Sequence, residues 1–437
     1  MSPLDRSEVI DLKRRMLVTA LAAAIVAVSC TPTSETTTTA AASATTTVET
    51  PTTEPPIRTG IGVDDGVIRV GVLVPLSGPA AVFGESVVDG HTAFWTYVNE
   101  TLGGVGGEYE VEVTVFDHRY DVDDATGGFN DLSGRVVGFA GALGSPIDEA
   151  LAPLLEESGM LMMAGSLSSE WIGHSALVPN LMLPTYRDQV ASGLVWAADG
   201  GLAGETAILY QEGSYGEDCL RGYDAAVSDL RLASAGRVAH APASTDFGDV
   251  VEQLRASEPD LVVVCTTADA LVRIVATADS LGFNPNWLVA AQSFDAGVAT
   301  ALGGDEGVEA GIARLGRVGV MGAGPPDGAP AASLMRSVFE GSDATDWYTL
   351  FGYSQAATFH LILEEAFESS DLTRAGLREA AARLDGIDLG LDGPLSSLVR
   401  PAPVEAAAVG RIDLDTITAP FGIPATEPYF TSVFAVP

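Results

Sequence analysis

From residue 67 to about residue 300 of this 437-residue chain, short apolar segments alternate with longer amphipathic ones. The apolar segments predict strands: VIRVGVLV (67–74), EVEVTVFD (110–117), RVVGFAGAL (135–143), MLMMA (160–164), ETAILYQ (205–211), DLVVVCT (260–266) and NWLVAAQ (286–292). Helical spacing predicts helices over 85–100, 146–159, 187–200, 215–232, 249–258 and 268–282. Such alternation favours an α/β fold with parallel sheets covered on both faces, in which the loops after the strands carry the function.

The pattern divides the body into two successive α/β units, over about 64–185 and 186–311. A mostly helical remainder follows, with a long helix predicted over 346–370. The tail from residue 391 reads as short strands and turns.

The first 30 residues have the composition of an export signal. Lys13, Arg14 and Arg15 precede an apolar run of 14 residues, which is shorter than the roughly 20 residues of a membrane span. The run ends at Cys30 and resembles a bacterial lipoprotein signal, in which that cysteine is lipidated, although Ala27 replaces the usual Leu or Val. An uncleaved anchor, a simple secretory peptide and twin-arginine export remain alternatives.

Residues 31–63 predict a disordered tether, because 12 threonines fall between positions 31 and 53 and large apolar side chains are almost absent. The expected location is therefore the outer face of the cell membrane, with the body held there by a lipid on Cys30.

Composition narrows the function classes. The net charge of −37 makes nucleic acid and anionic membrane surfaces poor partners. The five histidines lack ligand spacing, so neither a metal nor another cofactor is predicted. Neither a nucleophile elbow nor a Cys/His pair is present, which argues against an enzyme.

Several short motifs occur in one order along the body: PLSGPAAVFG (75–84), NETLGGVGG (99–107), GALGS (141–145), GMLMMAGSLSS (159–169) and EGSYGED (212–218). Together they resemble the type 1 periplasmic binding proteins, in particular the branched-chain amino-acid-binding proteins of ABC importers. The resemblance is clear over about residues 67 to 300 and looser beyond.

The resemblance implies two α/β lobes joined by three chain crossings, near 184–188, 303–312 and 386–392. The first lobe is then 64–186 plus 312–388, and the second is 187–311 plus 389–437. It also implies a monomer that binds a small molecule between the lobes and delivers it to ABC permease subunits. A ligand-sensing module for a membrane receptor or kinase is the alternative, and a secreted hydrolase is a third reading.

Serines of the first unit are the main candidate ligand-binding residues. Ser145 precedes Pro146 and Asp148, as at a helix start, so its hydroxyl could simply cap the helix. The resemblance instead implies that Ser145 and Ser168 bind a ligand carboxylate and that Ser166 and Leu167 offer backbone contacts. It further implies that Tyr215 and Phe83 cover the ligand, while Ser77 lies in the first loop of the cleft.

Two positions depart from the family pattern, according to the same resemblance. Gln292 takes the place of the acid that pairs with a ligand ammonium group, and Thr267 takes the place of a second tyrosine. Because a buried ammonium needs a counter-charge, either Asp295 or Asp269 supplies one or the ligand has no ammonium. The ligand therefore stays open among amino acids, amides, urea-like molecules, short carboxylates and aromatic acids.

Cys219 and Cys265 both lie near the carboxyl ends of predicted strands in the second unit. A disulfide between them is conceivable, but free buried thiols are the commoner outcome for cysteines on apolar elements.

Overall fold

The computed structural model describes residues 56–383, with gaps at 79, 181–184, 243, 295, 308–309, 312–318 and 322–346, and three short strands beyond residue 386. The predicted signal, Cys30, most of the tether and Asp295 lie outside these residues. None of the helices in this part of the chain combines the length and the apolar character needed to cross a lipid bilayer.

Parallel strands and helices alternate as predicted. The strands are β1 (Val63–Asp64), β2 (Val67–Val74), β3 (Glu110–Asp117), β4 (Gly138–Ala142), β5 (Met162–Met163), β6 (Leu177–Val178), β7 (Glu205–Gln211), β8 (Ala233–His240), β9 (Leu261–Cys265), β10 (Asn286–Ala290), β11 (Gly319–Met321), β12 (Ile387–Asp388), β13 (Ser397–Leu398) and β14 (Val409–Arg411).

Ten α-helices are found in the described ranges. They are α1 (Ala81–Tyr97), α2 (Val122–Ser133), α3 (Ser145–Ser158), α4 (Tyr186–Asp199), α5 (Ser214–Leu230), α6 (Gly248–Ala256), α7 (Ala268–Ser280), α8 (Ala296–Gly303), α9 (Trp347–Glu368) and α10 (Arg374–Arg383).

The two main sheets have the same strand order. In the first sheet, β2 pairs in parallel with β3 on one side and with β4 on the other, and β5 and β6 follow β4. In the second sheet, β7 pairs in parallel with β8 and with β9, and β10 and β11 follow. Each sheet therefore has a switch point at its first long strand, and ligands of open α/β sheets bind beside the carboxyl ends of strands at such points.

One apolar core runs without interruption between the sheets. It contains Val72 of β2 and Val263 of β9, together with Tyr186 and Tyr215 from the starts of two helices. The carboxyl-end loops of the first sheet therefore pack toward those of the second, which brings the loops after β4, β5, β7 and β9 into one neighbourhood.

Helix α9 returns the chain to the first sheet, where it packs on α1. A Cβ added at Gly90 would lie 2.1 Å from the carbonyl oxygen of Thr349, and one added at Gly352 would lie 2.1 Å from that of Val87. The two helices thus touch backbone to backbone, and only glycine fits at either position because any side chain would collide with the facing main chain.

Two expectations from the sequence need correction. Strand β11 pairs with β10, so residues 319–321 belong to the second sheet and not to the first lobe, as a boundary at 312 would require. The sulfurs of Cys219 and Cys265 are joined in a disulfide between α5 and the end of β9, so the expectation of free thiols is wrong. Both cysteines face the core between helix and sheet, where their side chains meet.

Buried histidines predict a loss of stability in mild acid. Burial lowers the pKa of His91 and of His360 to about 4, against an ordinary value of 6.5. Below pH 6.5 these two histidine rings bind protons in the unfolded chain but stay neutral in the folded chain. The free energy of unfolding should therefore fall as the pH decreases from 6.5 toward 4. Urea unfolding at several pH values measures this slope.

The substitution His91→Gln removes one titrating ring while keeping a polar partner for Gln355, whose side-chain oxygen lies 3.3 Å from His91 Nε2. The slope between pH 6.5 and 4 should become shallower in this variant. An unchanged slope would show that His91 does not contribute to the acid sensitivity.

Candidate functional site

Three serines meet at the carboxyl ends of β4 and β5. The Ser145 hydroxyl donates a hydrogen bond of 2.9 Å to Ser166 Oγ, which also accepts one of 3.1 Å from the backbone N–H of Ser168. All three side chains are buried, and Ser168 Oγ has no hydrogen-bond partner within the described residues. A buried hydroxyl without a partner costs free energy, so it offers an unfilled bonding site to a ligand.

Helix α3 starts as predicted, but Ser145 is not its N-cap. The N-cap is Gly144, whose φ of 126° lies in a region that only glycine adopts easily, and the Ser145 side chain makes no capping hydrogen bond. The capping interpretation of Ser145 is therefore wrong, and its hydroxyl is directed into the serine cluster instead.

A buried acid holds the loop that carries these serines. Asp148 Oδ1 accepts a hydrogen bond of 3.0 Å from the backbone N–H of Gly165. Burial raises the pKa of Asp148 well above its ordinary value, because it disfavours the charged form of the carboxyl. Asp148 was not singled out from the sequence, because an acid in the first turn of a helix is expected from the helix dipole alone.

Two tyrosine rings connect the serine cluster to the second sheet. Burial raises the pKa of the Tyr186 phenol, whereas the nearby Leu167 backbone and the Ser166 and Ser145 hydroxyls act in the opposite direction. The Tyr186 ring lies 4.5 Å from that of Tyr215, at an angle of 64°. The hydroxyl of Tyr215 lies 3.4 Å from the carbonyl oxygen of Thr266 and 3.3 Å from Ser293 Oγ.

A third tyrosine lies beside the first two. Tyr120 packs over Gly144, where an added Cβ would come within 2.9 Å of its ring. Burial raises the pKa of the Tyr120 phenol, and the nearby Tyr186 phenol and Asp148 carboxyl act in the same direction. Phenol rings therefore cover one side of the serine cluster.

Hydrogen bonds also join elements of the two sheets. Glu149 of α3 accepts a hydrogen bond of 2.7 Å from the backbone N–H of Ser214, at the start of α5. Asp218 of α5 accepts hydrogen bonds from the backbone N–H and the hydroxyl of Ser169, at 3.0 and 2.5 Å. The loops after β4 and β5 are thus fastened to the helix that follows β7.

The candidates in the second unit, Gln292, Thr267 and Asp269, differ in exposure and in hydrogen bonding. Both side-chain amide atoms of Gln292 are buried and have no hydrogen-bond partner in the described ranges. Thr267 caps α7 by accepting a hydrogen bond of 3.4 Å from Ala270 N–H. Asp269 is exposed and pairs with Arg273 at 2.8 Å, so it does not serve as a counter-charge for a buried ligand.

The first loop is held by an acid that was also not expected. Ser77 donates a hydrogen bond of 2.6 Å to Asp117 Oδ2, and Leu76 N–H donates one of 2.8 Å to Oδ1. Burial acts to raise the pKa of Asp117, but these hydrogen bonds prevail and lower it to about 2. The Ser77 hydroxyl is therefore engaged in shaping its own loop.

Phe83 lies near the start of α1. Its ring is half-buried, stacks 4.4 Å from that of Tyr348, and packs against apolar residues of both sheets. Phe83 therefore lies at the seam between the two sheets.

A sequence profile of periplasmic binding proteins matches residues 67–413, which is most of the chain. The chain belongs to the periplasmic binding protein family. The resemblance seen in the sequence is thereby confirmed, together with the α/β fold of the type 1 periplasmic binding proteins.

Curated periplasmic binding proteins are similar over part of their length. The chain is 24% identical to the Leu/Ile/Val-binding protein homolog 3 of Brucella melitensis over 200 residues, which is 45% of this chain and 53% of that protein. The Leu/Ile/Val-binding protein BraC3 of Rhizobium johnstonii is 23% identical over 198 residues. The chain thus spans about half the length of the curated relatives it matches.

Solved structures share the fold over more of the chain. A fatty acid ABC transporter substrate-binding protein from Thermomonospora curvata has a TM-score of 0.74 at 23% identity, covering 86% of this chain and 95% of that one. A solute-binding protein from R. palustris in complex with 4-hydroxybenzoate has a TM-score of 0.63 at 18% identity, covering 79% of this chain and 93% of that one.

Proposed function

We propose that this periplasmic binding protein is the extracytoplasmic solute-binding component of an ABC importer and closes around a small carboxylate ligand. The observation that supports this proposal is a continuous set of contacts, which runs from the Ser145 and Ser166 hydroxyls through Tyr186 to Tyr215. Hydroxyls from the first sheet bind the ligand oxygens, and Tyr215 from the second sheet covers them. Closure of two lobes excludes water and strengthens each hydrogen bond.

The names of the relatives support transport as the role, since they include Leu/Ile/Val-binding proteins and ABC transporter substrate-binding proteins. No nucleophile constellation was found in the sequence, so we propose a binding protein rather than an enzyme. The protein acts as a monomer and hands its ligand to permease subunits.

The first lobe contains 64–186 and the long helix α9, and the second contains 187–311, strand β11 and the tail from 389. Two pairings support this division, because α9 packs on α1 of the first sheet and β14 pairs with β11 of the second. The second crossing then lies beyond residue 321. A lipid on Cys30 and the threonine-rich segment after it tether the body to the outer face of the cell membrane.

The Ser145→Ala variant tests the ligand contact. It removes a buried hydroxyl that donates to Ser166 Oγ, so we expect binding to weaken by about tenfold or more, because 1.4 kcal/mol corresponds to a factor of ten. Ligands are first found by thermal shift with amino acids, short acids, amides and urea, because a ligand at 100 times its Kd stabilises by about 2.7 kcal/mol. Titration calorimetry then measures the affinity.

The matched control is Ser158→Ala at the other end of the same helix, where the hydroxyl bonds to the Leu154 carbonyl oxygen at 2.8 Å. This variant should bind as the wild type does. Equal affinity in Ser145→Ala and wild type would remove the serine cluster from the binding site.

A further inference from the structure

The side-chain amide of Gln292 combines two unpaired polar atoms in one buried group. Its nitrogen and its oxygen are both inaccessible to water and have no hydrogen-bond partner among the described residues. Leaving such groups unpaired is unfavourable, because each loses the hydrogen bonds that it makes with water in the unfolded chain. A partner that both donates and accepts a hydrogen bond would remove this cost.

Gln292 lies beside the covering tyrosine. It is in the short 3₁₀ turn Ala291–Ser293 that follows β10, and Ser293 Oγ donates to the Thr266 carbonyl oxygen at 2.6 Å. The same oxygen of Ser293 lies 3.3 Å from the Tyr215 hydroxyl. Gln292 is therefore on the loop that positions Tyr215, at the ligand-facing edge of the second sheet.

Several described carboxylates near this edge are already engaged. Glu149 accepts from Ser214 N–H, and Asp218 accepts from Ser169 and is paired with Arg221 at 2.9 Å. Burial raises the pKa of Asp148 and of Glu170 and so disfavours their charged forms, and Asp269 faces solvent beside Arg273. None of these described acids is therefore available to compensate a buried ammonium group, which would cost several kcal/mol without a counter-charge.

Aromatic surface lies between the serine cluster and Gln292. The Tyr186 and Tyr215 rings meet at 4.5 Å, and Tyr120 adds a third ring on the side of the serines. Such rings offer flat apolar contact area with a polar hydroxyl at the edge. A planar ligand makes more contact with them than a branched aliphatic one.

We propose that the ligand is a small planar carboxylate without an ammonium group, carrying a neutral hydroxyl or carboxamide that pairs with the Gln292 amide. The inference rests on the proposed function and names its ligand class. The carboxylate fills the vacant bonding site at Ser168, the ring lies against the tyrosines, and the neutral group donates to Gln292 Oε1 and accepts from Nε2.

Calorimetric titration of the purified full chain tests the ligand class with four probes: 4-hydroxybenzoate, 4-carbamoylbenzoate, L-tyrosine and L-leucine. We expect both benzoates to bind at least about tenfold more tightly than either amino acid, a difference of 1.4 kcal/mol or more. Binding of L-leucine or L-tyrosine as tight as that of the benzoates would overturn the proposal, as would failure of both benzoates to bind.

Two variants test the role of Gln292. Gln292→Leu removes both amide atoms and should weaken benzoate binding by about tenfold. Gln292→Glu adds a carboxylate, which should weaken benzoate binding further and strengthen binding of L-tyrosine. Asp269→Asn, on the exposed face of the neighbouring helix, should change neither and serves as the control.

The outcomes separate this inference from the proposed function. Tight amino-acid binding that Ser145→Ala weakens and Gln292→Glu leaves unchanged would overturn the ligand class while the binding function stands. Benzoate binding that neither Ser145→Ala nor Gln292→Leu weakens would overturn both. Unfolding midpoints of the variants show that each one folds.

Discussion

Replacement of Asp218 by alanine is expected to lower the free energy of unfolding by about 3–5 kcal/mol, as the loss of one partner from a buried charged network does. The Asp218 side chain is fully buried and accepts hydrogen bonds from Ser169, from the backbone N–H of Arg187 at 3.0 Å and from Arg221. Without it, two backbone N–H groups lose their partner. Equilibrium unfolding in urea measures the loss.

The same variant should also loosen the contact between the sheets. Ser169 follows β5 of the first sheet, Asp218 is on α5 after β7, and Arg187 lies in the first turn of α4. We expect the ligand-free variant to have a larger radius of gyration than the wild type in small-angle X-ray scattering. The reason is that the hydrogen bonds between Ser169 and Asp218, which join the loops of the two sheets, are lost.

The matched control is Asp224→Ala on the same helix. Asp224 pairs with Arg237, but both side chains are almost half exposed, so its loss should cost no more than about 1 kcal/mol. Equal losses of stability in the two variants would show that Asp218 contributes only as a surface charge does.

Removal of the Cys219–Cys265 disulfide is expected to have a similarly large effect. The bridge closes a loop with a sequence separation of 46 residues. The chain-entropy relation then gives a stabilisation of about 4 kcal/mol. The double variant Cys219→Ala with Cys265→Ala should unfold at correspondingly lower denaturant concentration, and so should the wild type after reduction.

Reduction should have no effect on the double variant, which is the control for direct effects of the reductant. Cys219 lies one helical turn after Tyr215, and Cys265 directly precedes Thr266, which accepts from the Tyr215 hydroxyl. Ligand affinity should therefore fall together with stability. A reduced protein as stable as the oxidised one would mean that the two thiols remain unpaired in solution.

Three long strands could be predicted closely from the sequence. β2, β3 and β7 have the predicted bounds, because β2 and β7 are apolar runs and β3 alternates between apolar and polar residues. Strand β8 (Ala233–His240) was not predicted: it lies at an edge of its sheet, and most of its residues are exposed or half-buried, so no apolar run marks it. Helix α2 was missed too, since two glycines and six polar residues weaken its helical pattern.

The site could be predicted only in part. Ser145, Ser166 and Ser168 were singled out by their place in motifs, and the structure brings them together. Tyr186 was missed because nothing local distinguishes this first residue of α4 from a core residue. Asp218 was missed because its partners Ser169 and Arg187 lie 49 and 31 residues away, and such pairings depend on the fold.

The glycine contact between α1 and α9 has a mechanical consequence. Because Gly90 and Gly352 place main chain directly on main chain, no side chain separates the two helices at this crossing, and the close contact resists sliding. Any hinge movement must leave this pair intact. Probes attached at exposed Glu85 and Glu368 would therefore keep a constant separation. Their distance could serve as an internal reference when displacements elsewhere in the protein are measured.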